Sequence, residues 1–299
     1  RYQPRSRWLG DVYKRQIYYR FIAELVGTFL LLFFGDMSIA VAFMGPAGTT
    51  LWEIVAGWFF AVFIAIYVVG GISGAHINPA VTVALWVNGE FDTKDVPWYL
   101  IAQFIGAWLG ALFTYIFWYG YWNAPLAEGG LDPDHKFYYA TQILHCHYPN
   151  PAVFPLAYPV ENGGAAPNLD EGIKWANEHW PLWLGFFIEF VMTFLLLLTV
   201  RATTDEEAHR WVPEKFAGFF IAIYVGFACF ITPMTMTCMN PARDWGPRVV
   251  SAMLGYPGHV LNYRWEVPIV YGIPQFLGGI CGVAFWKYVL KPYFAAIKE

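Results

Sequence analysis

Two short stretches carry the residue types that could bind a small polar molecule: Gly74-Ala75-His76-Ile77-Asn78-Pro79-Ala80-Val81-Thr82 and Cys238-Met239-Asn240-Pro241-Ala242-Arg243-Asp244. In each, the Asn can cap a helix by accepting from the unpaired N–H groups of its first turn, and the following Pro fits there because its missing N–H costs nothing. Helices are therefore expected to start at Asn78 and Asn240, with amide N–H groups left to offer a solute. Arg243, three residues into the second helix, adds a planar fork of donors and a full positive charge that would repel cations. Its alternative role is a pair with Asp244.

Glu24 and Glu189 lie inside long apolar runs, where an unpaired charge is costly, so each should face the protein interior and bind something. Each could relay protons, or buttress a loop by accepting its backbone N–H groups. The same residue recurs at the same place in both halves, whereas a relay needs an asymmetric path, so buttressing is the expectation. His76 reads as a loop strut, with a pH gate as its alternative. His145-Cys146-His147 has the spacing of a ligand pair but no matching acidic or Cys pair, so a solvated loop and no metal are expected.

Six apolar stretches are long enough to span a bilayer and should be helices: 21–43, 54–72, 96–118, 180–200, 216–232 and 267–286. The runs behind the two Asn-Pro pairs, 77–87 and 240–254, are too short to cross about 30 Å of hydrocarbon and read as half-spanning helices. The chain repeats itself: Glu24-Leu25-Val26-Gly27-Thr28-Phe29-Leu30-Leu31 is answered by Glu189-Phe190-Val191-Met192-Thr193-Phe194-Leu195-Leu196, and each glutamate precedes its Asn by a similar distance, 54 and 51 positions. An odd number of spans per repeat inverts the second relative to the first, so the half-helices enter from opposite faces and Asn78 meets Asn240 near the midplane. The expected organisation is a tail at 1–16, repeats at 17–119 and 180–291, a connection at 120–179, and a C-terminal tail at 292–299. Ser6 to Gln16 resembles a translated sequencing-library adapter and carries none of the functional reading.

With 58% hydrophobic, 20% aromatic and 13% charged residues, the composition is that of a polytopic membrane protein. The net charge of -4 is small and the basic residues are not gathered into one patch, which argues against nucleic acid. Lys and Arg favour the side shared by both termini, so both should be cytoplasmic. The 120–179 connection, with seven Asp or Glu against two Lys, is then extracellular and folds over the outer mouth. Four cysteines, three of them in or beside apolar segments, give no disulfide framework.

Together these residues resemble the major intrinsic protein family, the aquaporins and glycerol facilitators, over 21–291. The resemblance rests on Ser73 to Thr82, on Asn240-Pro241-Ala242-Arg243 and on both intramembrane glutamates. It implies an all-α integral membrane fold, a right-handed bundle of six transmembrane helices plus two half-spanning re-entrant helices in an inverted 3+3 repeat. It also implies a plasma-membrane homotetramer with one pore per subunit. The glycerol-conducting branch is the nearer match, through Asp244, Arg248, Tyr148-Pro149-Asn150-Pro151, and Trp58 as an apolar wall. Ala228 stands where water-selective members place a histidine, which predicts a wider pore. Thr237 replaces a usual second aromatic, removing restriction and offering a hydroxyl to the solute, and Gln275 follows Pro274 where an aliphatic residue is usual.

The expectation is a passive channel for glycerol and water, and for urea among small uncharged solutes, without cofactor or metal. Trp58, Ala228, Thr237 and Arg243 would form its filter. The carbonyls of Gly74, Ala75, His76, Ile77, Thr237, Cys238 and Met239 would form a polar ladder, permitted at membrane depth because it lines a cavity. Arg243 and the positive helix ends would exclude ions and protons. A water-selective aquaporin is the alternative. A secondary transporter would need a coupling-ion site, and Glu24, Asp36, Glu189 and Asp244 each have a structural reading. A membrane enzyme would need a paired nucleophile and base or a metal cluster, and the sequence offers neither at membrane depth.

Overall fold

The computed structural model describes residues 5–44, 51–124, 144, 146, 178–207, 212–255 and 267–296. The described elements are all helical. They run α1 (Arg5–Met44), α2 (Leu51–Ser73), α3 (Pro79–Val87), α4 (Val96–Phe117), α5 (Tyr119–Asn123), α6 (Leu182–Thr204), α7 (Ala217–Ile231), α8 (Pro241–Met253), α9 (Val267–Val270), α10 (Ile273–Phe285) and α11 (Lys291–Ala296), with a π-helical turn (Trp286–Leu290) joining the last two. Six helical stretches are long and apolar enough to cross a membrane, and the protein is a multi-pass membrane protein. Trp183, Phe117 and Phe227 are more than half exposed on the outer face, where lipid rather than water is their natural solvent.

The buried face of α1 carries Glu24, Thr28, Leu32, Asp36 and Ala40, all with no exposed surface and four residues apart, which is one helix face. Small residues let α1 and α4 close on each other: a Cβ at Gly106 would meet the Leu25 carbonyl at 2.4 Å, and one at Gly110 the Phe29 carbonyl at 2.9 Å. The second repeat packs α6 against α10 in the same way, with Gly278 against the Phe190 carbonyl at 2.2 Å and Gly282 against that of Phe194 at 2.4 Å. Both pairs are Gly-x-x-x-Gly, the spacing that brings membrane helices to backbone contact.

Three boundaries differ from the sequence expectation. The first helix starts at Arg5, so the tail read as separate continues α1. The sixth span is not continuous from 267: it breaks at Tyr271 and Gly272, where Gly272 (φ -155°, ψ -76°) leaves helical geometry and Pro274 restarts the helix in its first turn. The helix then runs to Ala296, so the expected tail from 292 is largely helical. The 120–179 connection lies mostly outside the described residues, as do His145, His147 and Tyr148-Pro149-Asn150-Pro151. Its two described inner residues, Leu144 and Cys146, are fully buried, with Cys146 packed against Cys238, Val270 and Tyr271. At Cys146 the expectation of a solvated loop is therefore overturned: the thiol completes an apolar cluster.

Candidate functional site

The two Asn-Pro stretches meet, and their hydrogen bonds cross between the repeats. Asn78 Oδ1 accepts from Ala80 N (2.8 Å) and caps α3; Asn240 Oδ1 accepts from Ala242 N (3.0 Å) and Arg243 N (3.3 Å) and caps α8. Each Nδ2 then reaches over: Asn78 donates to the Met239 carbonyl and Asn240 to the Ile77 carbonyl, both at 2.9 Å. Pro79, Ala80, Pro241 and Ala242 are buried in the first turns beneath the caps.

The segments before each Asn take backbone shapes that side chains rarely adopt. Gly74, Ala75 and Ile77 have φ of 83°, 50° and 44°, and Met236, Thr237 and Met239 have 55°, 47° and 49°. A left-handed conformation is costly for β-branched Ile77 and Thr237, of order 1–3 kcal/mol each, and the two glutamates hold it in place. Glu24 Oε1 accepts from His76 N (2.9 Å) and Ser73 Oγ (2.7 Å), and Oε2 from Ile77 N and Gln103 Nε2, both at 2.7 Å. Glu189 accepts from Cys238 N (3.1 Å), Met239 N (2.9 Å) and Gln275 Nε2 (2.8 Å). In a planar peptide the N–H and the preceding C=O point opposite ways. Drawing these N–H groups back to the carboxylates therefore turns the carbonyls of Ala75, His76, Thr237 and Cys238 outward from them. The Ile77 and Met239 carbonyls each already accept one Asn amide, leaving one lone pair apiece.

Gln103 and Gln275 are the partners that sequence reasoning missed, since Gln275 drew attention only as a departure next to Pro274. The signal was present: Gln103, Gly106 and Gly110 recur as Gln275, Gly278 and Gly282 at identical spacing. His76 sits between the rings of Phe91 and Tyr99, with centroids 4.7 and 4.9 Å away, and its Nδ1 is 3.1 Å from Thr82 Oγ1. That is the geometry of a strut.

A cavity of about 620 Å³ runs from Trp58, Thr237 and Arg243 past Asn78 and Asn240 to Tyr67 and Lys215 at its other end. Arg243 lies over Trp58, its guanidinium carbon 4.7 Å from the ring centroid, and Nη1 donates to the Leu144 carbonyl at 3.0 Å. It is not tied to Asp244, which Arg248 holds through two bonds of 2.7 and 3.0 Å. Asp244 also accepts from Cys146 N at 2.9 Å, and Arg248 donates to the Cys146 carbonyl at 2.7 Å, so this buried pair pins Cys146 against α8. Arg248 is thus an interior residue.

Thr237 corrects one expectation. Its hydroxyl lies 2.9 Å from the Thr232 carbonyl, 3.2 Å from that of Ala228 and 3.0 Å from Thr232 Oγ1. The Ala228 carbonyl also takes the Thr232 N–H at 3.0 Å, and a hydroxyl has one hydrogen to give, so that hydrogen is engaged at the end of α7 rather than offered to a solute. Ala228 is fully buried and is not among the residues lining the cavity.

A family model described as Major intrinsic protein matches residues 11–286. A glycerol uptake facilitator protein of Haemophilus influenzae is 32% identical over 279 residues, covering 89% of this chain and 91% of its own. A propanediol uptake facilitator, PduF, of Citrobacter freundii is 31% identical, covering 90% and 91%. Aquaglyceroporin-3 of Trypanosoma brucei brucei is 35% identical, covering 91% and 78%. Among solved structures, the aquaglyceroporin from Plasmodium falciparum superposes with a TM-score of 0.73 at 23% identity over 94% of this chain and 99% of that one, a likeness of fold. With that match over nearly its whole length, and with its crossed Asn-Pro caps and duplicated glutamate struts, this chain belongs to the major intrinsic protein family.

Proposed function

We propose that this protein is a passive channel for glycerol and related small uncharged solutes, with water, and that it catalyses no reaction. The observation that carries the reading is the corner at one end of the cavity, where the guanidinium carbon of Arg243 lies 4.7 Å from the centroid of the flat, apolar Trp58 ring. A polyol has a CH side and a hydroxyl side, and this corner matches both at once. Relatives named for glycerol and propanediol uptake favour it over a water-only pore.

In this reading Trp58, Ala228, Thr237 and Arg243 form the filter, with Ala228 acting by its small size behind Thr237. The carbonyls of residues 74–77 and 237–239 and the amides of Asn78 and Asn240 replace the water that a solute sheds. Glu24, Glu189 and Asp244 are supports. Positive helix ends at α3 and α8 oppose cations, including protons. Urea fits the same corner. The channel works as a homotetramer in the plasma membrane with both termini in the cytoplasm.

The test is light-scattering of proteoliposomes in gradients of glycerol, 1,2-propanediol, urea and sorbitol. Glycerol and propanediol should pass well above the rate of empty vesicles while sorbitol stays near it. Water flux with glycerol at the empty-vesicle level would return the water-selective reading.

A further inference from the structure

The glutamates hold each strained stretch at its downstream end, and a second pair of side chains holds it upstream. Tyr99 Oη donates to the Ser73 carbonyl at 2.7 Å, and Tyr271 Oη to the Thr235 carbonyl at 3.0 Å. Ser73 and Thr235 each stand five residues before their Asn, and Tyr99 and Tyr271 each stand four residues before the glutamine that braces the glutamate. Both tyrosines are fully buried, and neither lines the cavity. The bond is the same although the backbone beneath it is not: Tyr99 lies within α4, whereas Tyr271 lies in the break before α10. Tyr271 is tied to the filter a second time, since its carbonyl accepts at 3.2 Å from Nε1 of Trp245, two residues beyond Arg243.

Fixing the carbonyl of residue 73 or 235 fixes the plane of the peptide that follows it. Glu24 and Glu189 fix the peptides that end in the N–H groups of 76 and 77, and of 238 and 239. Between the two anchors lie Gly74 and Ala75 in one repeat and Met236 and Thr237 in the other, all at positive φ. Such conformations persist only where the surroundings over-determine them.

We propose that Tyr99 and Tyr271 are positioning residues of the channel, matched clamps whose hydroxyls set the carbonyl ladder and, at Tyr271, the placing of Thr237 beside Trp58 and Arg243. This rests on the channel reading above. Without the Tyr271 hydroxyl, Met236 and Thr237 are held from one end only and the filter loses its fixed width. Glycerol, which must meet an apolar side and a donor side at once, then suffers more than water. Tyr99 acts on the carbonyls before Asn78, which serve every solute alike.

The experiment measures glycerol and water permeability per folded channel in proteoliposomes, with melting in detergent, for wild type, Tyr99→Phe, Tyr271→Phe and Tyr224→Phe. Each change removes one hydroxyl and keeps the ring. Tyr224 is the control, because its hydroxyl donates at 2.6 Å to a carbonyl of α6, that of Met192, outside both stretches. Tyr271→Phe should lower the glycerol-to-water ratio about threefold, within what one neutral hydrogen bond is worth. Tyr99→Phe should lower both permeabilities together, and Tyr224→Phe should melt lower while conducting as wild type. If Tyr271→Phe does not fold, Tyr99→Phe carries the test. Tyr99→Phe and Tyr271→Phe channels that melt lower yet conduct as wild type would overturn the assignment and leave the tyrosines as supports of the fold alone. So would an equal loss of permeability in Tyr224→Phe. A wild type that passes water but no glycerol would overturn the channel reading only, and the assignment is then read from the water permeability of Tyr99→Phe, which should still fall.

Discussion

Arg243 and Arg248 lie five positions apart on one short helix and have different surroundings. Arg243 is held by one backbone carbonyl and an aromatic face, which leaves donors for a solute, whereas Arg248 is enclosed by Asp244 and the Cys146 carbonyl. Removing one partner of a buried pair strands the other, at about 3–5 kcal/mol. Arg248→Met should therefore lose most folded protein on detergent size-exclusion chromatography. Adding Asp244→Asn should recover much of it, because the stranded charge is gone. A stable Arg248→Met single variant would show that the pair contributes little. That Arg243 would line a cavity was legible from its place after Asn-Pro-Ala; the Asp244 partner was not, because adjacent, three-apart and four-apart neighbours all compete and only the fold of α8 selects the four-apart Arg248.

At the scale of elements, the glycine pairs decide where the glutamates stand. Phe190, whose carbonyl faces Gly278, follows Glu189 in sequence, so the closeness of α6 and α10 sets how far the carboxylate reaches toward Cys238 and Met239. Gly278→Ala would force a Cβ to within 2.2 Å of that carbonyl. Overpacking of this kind costs about 1–3 kcal/mol, and here it should also draw Glu189 back. The expected outcome is a lower melting temperature together with lower glycerol flux, read by thermal denaturation in detergent and by vesicle swelling. Gly120→Ala, where nothing lies within 4 Å of the added Cβ, should change neither. Helix number, type and inversion were readable because hydrophobic length and repetition are one-dimensional signals. The break at Gly272, the link of Gln275 to Glu189 across 86 positions and the burial of Cys146 depend on which helices lie side by side, and apolar length does not encode that.

For the molecule as a whole, six crossings leave both termini on one side, and the α3–α4 turn shares that side while α5 lies on the other. Lys94 and Asn123 are both exposed and mark the two faces. With Cys281 changed to Ser, Asn123→Cys should react with a membrane-impermeant maleimide in intact cells and Lys94→Cys only after permeabilisation; the reverse pattern would invert the orientation taken from the Lys and Arg distribution. The crossed caps have a consequence for anything that moves in single file between them. Each Asn gives one amide hydrogen to the opposite loop and keeps the other, and both residues line the cavity. Were a water molecule to sit between them and accept from both, its lone pairs would be engaged and its own hydrogens would point away, one toward each mouth. Its neighbours on either side would then line up in opposite senses against the carbonyls. Proton hopping needs every molecule in the chain to face the same way, and such a file would reverse direction at its centre, so the wire would be cut without the water column being broken.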